Sequence, residues 1–327
     1  MKTTMEDFFK THPQMRYIYF GGKGGVGKSV VAASVALWMA QQGKKTLLAS
    51  TNPVHSLSNL FKQDVFGKPV LIPGVKGLFV QEIDTKDTIK RSKNEIKEKI
   101  SWFLKFADIP TKADDFMESA TMNPAFEESA MFENMINIMF EDAFEFYVFD
   151  TAPTANARRL LGMSKVYTLW VDKMYKSRQE ATAMRLSLSF RKKKVTEERD
   201  PLMEYLTTFK DRIEHMRVLL TDEQKSAFFF ITLLESLPIA VIRRFIGWFE
   251  DFGIPIGGVI INEVIDKSEI GKDSAPFILN RIKMQDRYRE EVYQSFENVC
   301  GEIPLFENEV RGVDMVKKVT QALFPSP

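Results

Sequence analysis

The chain has 327 residues, roughly two average domains in length, yet an α/β core carrying insertions reaches this size, so one large domain is expected. Lysine plus arginine (45) nearly cancel aspartate plus glutamate (44), which removes the broad positive field of a general nucleic-acid binder. A single cysteine, Cys300, excludes an internal disulfide, and no charged-then-apolar signal opens the sequence, so a soluble, cytoplasmic protein is expected, with Cys300 buried near a strand.

In chain order, apolar runs alternate with helical stretches, which predicts an α/β fold with a doubly wound, mainly parallel sheet. Strands are expected over 16–22, 45–51, 78–83, 145–150, 227–232 and 256–262. The strongly apolar run AFFFITLL (227–234) is too short to cross a bilayer and reads as buried strand. Two gaps, 84–144 and 155–225, are too long for one crossover helix; the second carries the basic run RKKK at 191–194. Residues 1–327 therefore read as one domain whose two insertions form helices on one edge of the sheet.

The first expected strand runs into GGKGGVGKS (21–29), which satisfies G-x-x-x-x-G-K-[ST] from Gly22 to Ser29 and opens a helix, the context that motif requires. Glycines there let backbone N–H groups converge on phosphate oxygens, and the helix N-terminus adds favourable partial charge. Gly22, Gly24, Gly25, Val26, Gly27, Lys28, Ser29 and Val30 are the expected nucleotide cradle. Lys28 would reach the β- and γ-phosphates, and the Ser29 hydroxyl would ligate Mg²⁺. Downstream, EFYVFD ends on Asp150, placed like the acidic residue that holds Mg²⁺ through its water shell, and the following turn offers the Thr151 and Thr154 hydroxyls.

GGKGGVGKS, STNPVHSL, VFDTAPT, VIINEV and PLFENEVRG, in that order over nearly the whole chain, resemble the ArsA-type deviant P-loop ATPases, including the guided-entry ATPases that target tail-anchored membrane proteins. The resemblance implies ATP/ADP and Mg²⁺ as ligands, 50–57 as one nucleotide switch and 150–156 as another. It places Asn262, Pro304, Glu309 and Val310 around the adenine, where an amide offers both donor and acceptor to a purine edge. It also implies that Lys23, the extra lysine of the loop, reaches across a two-fold axis to the partner's nucleotide, giving an ATP-bridged homodimer. A membrane receptor is a further implied partner; nucleic acid is not.

Two departures from that family pattern matter. The position of Asn52 is normally Asp in the family, where it orients and helps deprotonate the attacking water. The amide keeps the shape and loses the base, which costs about 10²–10⁴ in rate and suggests a hydrolysis-impaired, ATP-trapping form. A deliberate trapping substitution and natural divergence both fit. The second switch also differs, with Ala155, Asn156 and Ala157 after TAPT.

The first insertion is rich in methionine and phenylalanine, with Met117, Met122, Met131, Met135 and Met139 as candidates for a groove that accepts an apolar transmembrane helix. Met131, Met135 and Met139 fall at i, i+4, i+8 on one helical face; an ordinary core face is the plain alternative. ATP would close the dimer and assemble the groove, and hydrolysis would reopen it. Cysteine count disfavours an arsenite-pump subunit, and no zinc is expected, because 275–278 reads APFI where related ATPases carry C-x-x-C. His12, His55 and His215 lack ligand spacing. A MinD- or ParA-like positioning ATPase is the other alternative.

Overall fold

The computed structural model describes residues 4–51, 56–84, 86–91, 93–94, 97–98, 134–150, 172, 176, 180, 201–271 and 275–325. The expected strands form: β1 (Tyr17–Gly21), β2 (Thr46–Ser50), β4 (Leu78–Glu82), β5 (Phe146–Asp150), β6 (Ser226–Thr232) and β7 (Ile256–Val264). Two more were not predicted, the short β3 (Val70–Leu71) and the edge strand β8 (Val299–Pro304). Among the described residues the sheet has eight strands in the order β3-β4-β2-β5-β1-β6-β7-β8. Every pairing is parallel except β3 with β4.

Burial on both faces explains the near-continuous apolar runs of the central strands. Successive side chains point to opposite faces. Ile18 and Phe20 of β1 thus enter one core, whereas Tyr17 and Tyr19 enter the other. The first core is closed by α1 (Met5–Thr11), α2 (Lys28–Gln41), α3 (Ser56–Phe61) and α7 (Val313–Leu323). The second is closed by α4 (Pro201–Thr221), α5 (Ser236–Asp251) and α6 (Pro276–Ser295). Tyr19 stacks between Phe149 and Phe228 at 5.1 and 4.4 Å, fastening β5, β1 and β6 by their side chains as well as their backbones.

Helix ends follow local chemistry. Thr4 and Asp7 form a reciprocal capping box at α1, and Pro276 opens α6, where a missing N–H costs nothing. Cys300, expected near a strand, lies on β8 itself, buried, with its thiol donating to the Gly257 carbonyl at 3.4 Å. Burial pushes that thiol up to about 12.

Two of the five methionines expected in a groove lie elsewhere. Met135 and Met139 lie in the helical segment 134–140, 5% and 2% exposed, packed in the second core. The Tyr19 hydroxyl donates to the Met139 sulfur at 3.3 Å. They are core residues, because the apolar helix face at that spacing lies in the second core and meets Tyr19 of β1 instead of lining a groove. Met117, Met122 and Met131 lie outside the described residues. Among the described residues, no helix is long and apolar enough to cross a membrane.

Candidate functional site

The carboxyl ends of β1, β2 and β5 lie side by side, the usual ligand position in an open α/β sheet. Register fixes the arrangement: Asp150 sits opposite Phe20 on β1 and opposite Ser50 on β2. β1 runs straight into the glycine-rich loop, which ends at the N-terminus of α2. The loop and the carboxylate are thus held side by side by strand pairing.

Asp150 is 1% exposed and accepts hydrogen bonds from Ser29 Oγ at 2.6 Å and Ser50 Oγ at 3.2 Å. Burial pushes its carboxyl above the ordinary range; the Ser29 hydrogen bond and the Lys28 charge pull against that shift. Lys28 is also buried, and burial holds its ammonium below the ordinary lysine value, with Asp150 opposing. Its Nζ folds back onto the Lys23 carbonyl at 3.1 Å. Two penalised charges beside a helix N-terminus are what a site kept for an anion and a cation looks like. The donor set, one carboxylate and two hydroxyls, is all hard oxygen and fits Mg²⁺.

Gly27 shows why the loop needs glycine. Its φ is +88°, left-handed, and a Cβ there would overlap the Asn262 amide nitrogen. Asn262, buried at the end of β7, donates from Nδ2 to the Val26 carbonyl at 3.0 Å. A carbonyl partner requires the amide nitrogen on that side, which leaves Oδ1 and one N–H for a ligand. Replacing Gly27 with Ala forces both a left-handed φ, at about 1–2 kcal/mol, and displacement of Asn262. The expected outcome is a melting temperature lower by about 2–4 °C per kcal/mol. ATP affinity should fall at least about tenfold, as read by equilibrium binding; unchanged affinity would show that the loop tolerates a side chain there.

The other expected site residues divide. Lys23 is half-buried in the loop, and Gly24 and Gly25 are exposed. Val30 is half-buried on the first turn of α2. Pro304 pairs with Val264, which brings it two residues from Asn262. Val310 packs against the first core, whereas Glu309 is exposed and pairs with Arg311 at 3.8 Å. The loop that carries both is tied to α3, since the Gly312 N–H donates to the Leu60 carbonyl at 2.6 Å. Asn52, Thr151 and Thr154 lie outside the described residues.

Sequence reasoning missed Ser50, Ser56 and Glu82. Ser56 Oγ lies 3.3 Å from Ser29 Oγ. Glu82, 1% exposed at the end of β4, accepts from the Leu57 N–H at 2.7 Å and Ser58 Oγ at 2.5 Å, anchoring the start of α3. A carboxylate at the carboxyl end of an apolar strand, LFVQE, was the available signal.

Comparison with known proteins agrees with this geometry. The chain is similar to ATPase ASNA1 homolog 2 of Paramecium tetraurelia, 28% identical over 99% of this chain and 97% of that one. It is similar to the putative arsenical pump-driving ATPase 2 of Aquifex aeolicus (strain VF5), 28% identical over 94% of this chain and 99% of that one. It is also similar to ATPase GET3A of Arabidopsis thaliana, 27% identical over 93% of this chain and 82% of that one. With a family profile described as anion-transporting ATPase matching residues 15–325, around a part-buried serine–aspartate contact beside a glycine-rich loop, the chain belongs to the anion-transporting ATPase family.

Proposed function

We propose that this chain is a cytoplasmic, ATP-dependent, homodimeric targeting factor that shields the transmembrane helix of tail-anchored client proteins. The observation that carries the nucleotide part is the contact of Ser29 Oγ with Asp150 Oδ2 at 2.6 Å, next to Lys28, whose Nζ donates to the Lys23 carbonyl of the loop at 3.1 Å. Ser29 would hold Mg²⁺ directly and Asp150 through water, with Lys28 and the loop amides of 22–30 on the phosphates. Magnesium, when bound, neutralises charge developing on the β- and γ-phosphate oxygens. Asn262, with Pro304 nearby, would face the purine, and Glu309 and Val310 would border it.

Support for the client class comes from similarity to proteins named ASNA1 homolog and GET3A, and from the methionines and phenylalanines of 101–133. The groove, reduced to Met117, Met122 and Met131, would belong to a helical subdomain built from 84–144 and 155–225. Lys23 would neutralise the partner's triphosphate, so ATP closes the pair and hydrolysis reopens it. A membrane receptor would then accept the client.

Mass measurement in solution tests this directly. ATP with Mg²⁺ should shift the parent from one chain mass to two, with an added apolar helical peptide co-eluting, and Lys23→Ala should stay at one chain mass while still binding ATP. A parent that binds ATP without a mass change would overturn the dimer. The similarity to an arsenical pump-driving ATPase favours a second reading, which arsenite-stimulated phosphate release would reveal. Against it stands the single cysteine, buried and with its thiol pushed up, which suits no soft metalloid.

A further inference from the structure

We infer that Gln285, on α6, is a positioning residue for the purine end of the nucleotide site, holding a bulge in β7 that aims Asn262 at the glycine-rich loop. The inference rests on the proposed placement of the base against Asn262. Pairing of β7 with β8 shifts register twice: between Val259 and Ile260, where one step on β7 spans two on β8, and again between Ile261, opposite Glu302, and Val264, opposite Pro304. Three steps on β7 therefore match two on β8, which is one extra residue. The extra turn falls on Glu263, a non-glycine residue with φ +58°. That conformation is costly for an L-residue and persists only where its surroundings hold it.

Gln285 supplies the hold. Its Nε2 donates to the Glu263 carbonyl at 2.9 Å and its Oε1 accepts from the Ile265 N–H at 2.9 Å, bracketing the bulge from both sides. The side chain is 9% exposed, and α6 is itself fixed to β8. There Arg289 Nε donates to Glu302 Oε1 at 3.0 Å and the Tyr293 hydroxyl donates to the same oxygen at 2.9 Å. Without the amide, the Glu263 carbonyl and the Ile265 N–H lose their partners, and the left-handed turn at Glu263 loses what holds it. Removing one residue from the register turns neighbouring side chains to the opposite face. Asn262 would then leave the Val26 carbonyl, to which it now donates at 3.0 Å. Gln285 thus acts on the nucleotide through Asn262.

The experiment compares equilibrium binding of fluorescent ATP and GTP analogues to the full chain and its variants. Gln285→Leu, which fills the space without hydrogen bonds, should weaken the ATP analogue about tenfold and reduce the preference for ATP over GTP. Gln285→Glu keeps the acceptor for Ile265 and loses the donor, so a smaller change in the same direction is expected, and it serves if the Leu variant fails to fold. Adding Glu263→Gly, which removes the cost of the left-handed φ, should restore part of both affinity and preference to Gln285→Leu. Parent-like binding by both Gln285 variants, while Asn262→Ala loses the ATP preference, overturns the role of Gln285 and leaves the base placement standing. Equal weakening of both analogues, or no recovery with Glu263→Gly, also overturns it, because Gln285 would then serve the fold alone. If Asn262→Ala itself keeps the ATP preference, the base placement falls and takes this inference with it.

Discussion

Asn52→Asp should raise the rate of phosphate release about 10²–10⁴-fold, the range attached to a positioned general base, with ATP affinity changed only severalfold. The residue itself lies outside the described residues, but both of its flanks are tied to the nucleotide site. The Thr51 N–H donates to the Asp150 carbonyl at 3.1 Å, and Ser56 Oγ lies 3.3 Å from Ser29 Oγ. Glu82 secures the downstream flank by accepting from the Leu57 N–H at 2.7 Å and Ser58 Oγ at 2.5 Å. An amide at position 52 can orient water but cannot accept its proton, whereas a carboxylate does both. The groups proposed to hold phosphate and Mg²⁺, Lys28 for the first and Ser29 and Asp150 for the second, are untouched by the exchange, which is why the effect belongs on the chemical step. Single-turnover phosphate release from preloaded protein measures it. A rate that does not move would mean that another group, or product release, limits turnover, and the ATP-trapping description would be withdrawn.

The contrast between what the sequence disclosed and what it hid has a physical source. Gly27, Lys28, Ser29 and Asp150 were legible because their roles are written locally: a strand, a turn that only glycine fits, a helix start, and a carboxylate at a strand end. The central strands were legible because both faces are buried, so their apolar runs are unbroken. β8 was not, because its buried apolar residues Val299, Cys300 and Ile303 are interrupted by Gly301 and Glu302 and followed by Pro304, which leaves no unbroken apolar run. Glu302 faces Arg289 and Tyr293 of α6, a partnership invisible before the fold is known. Gln285 carries no local signal, since its partners at Glu263 and Ile265 are 22 and 20 residues away. The stripe of Met135 and Met139 was read correctly as one helix face, yet periodicity says only that a face is apolar. Whether it meets a sheet or a client is decided by tertiary packing, and here it meets Tyr19.

Asp150→Asn is expected to push stability in opposite directions with and without nucleotide. Burial dominates the balance at Asp150 and raises its folded pKa, and that balance already includes the attraction of Lys28 and the hydrogen bonds of Ser29 and Ser50. A raised folded value means the fold binds this proton more tightly than the unfolded chain does. The associated stability is therefore complete below the ordinary carboxyl value of 3.8 and is lost as pH rises through the raised one. At pH 7 the empty site thus carries a destabilising charge. Asparagine can accept from both serine hydroxyls without that charge, so the nucleotide-free variant should melt higher than the parent, by about 2–4 °C per kcal/mol recovered. The difference should close as pH falls toward 3.8. With ATP and Mg²⁺ present the order reverses. The parent gains about 2.7 kcal/mol at a hundredfold excess over the dissociation constant, while the variant lacks the carboxylate that helps hold the metal. Turnover should drop at least about 10²-fold, since several kcal/mol of charge stabilisation depend on that metal. Melting curves at pH 7 and pH 4, with and without Mg²⁺ATP, separate the cases. A nucleotide-free variant that melts below the parent at pH 7 would show that the Asp150 charge supports the fold, and the site would lose its standing as one kept costly for a ligand to relieve.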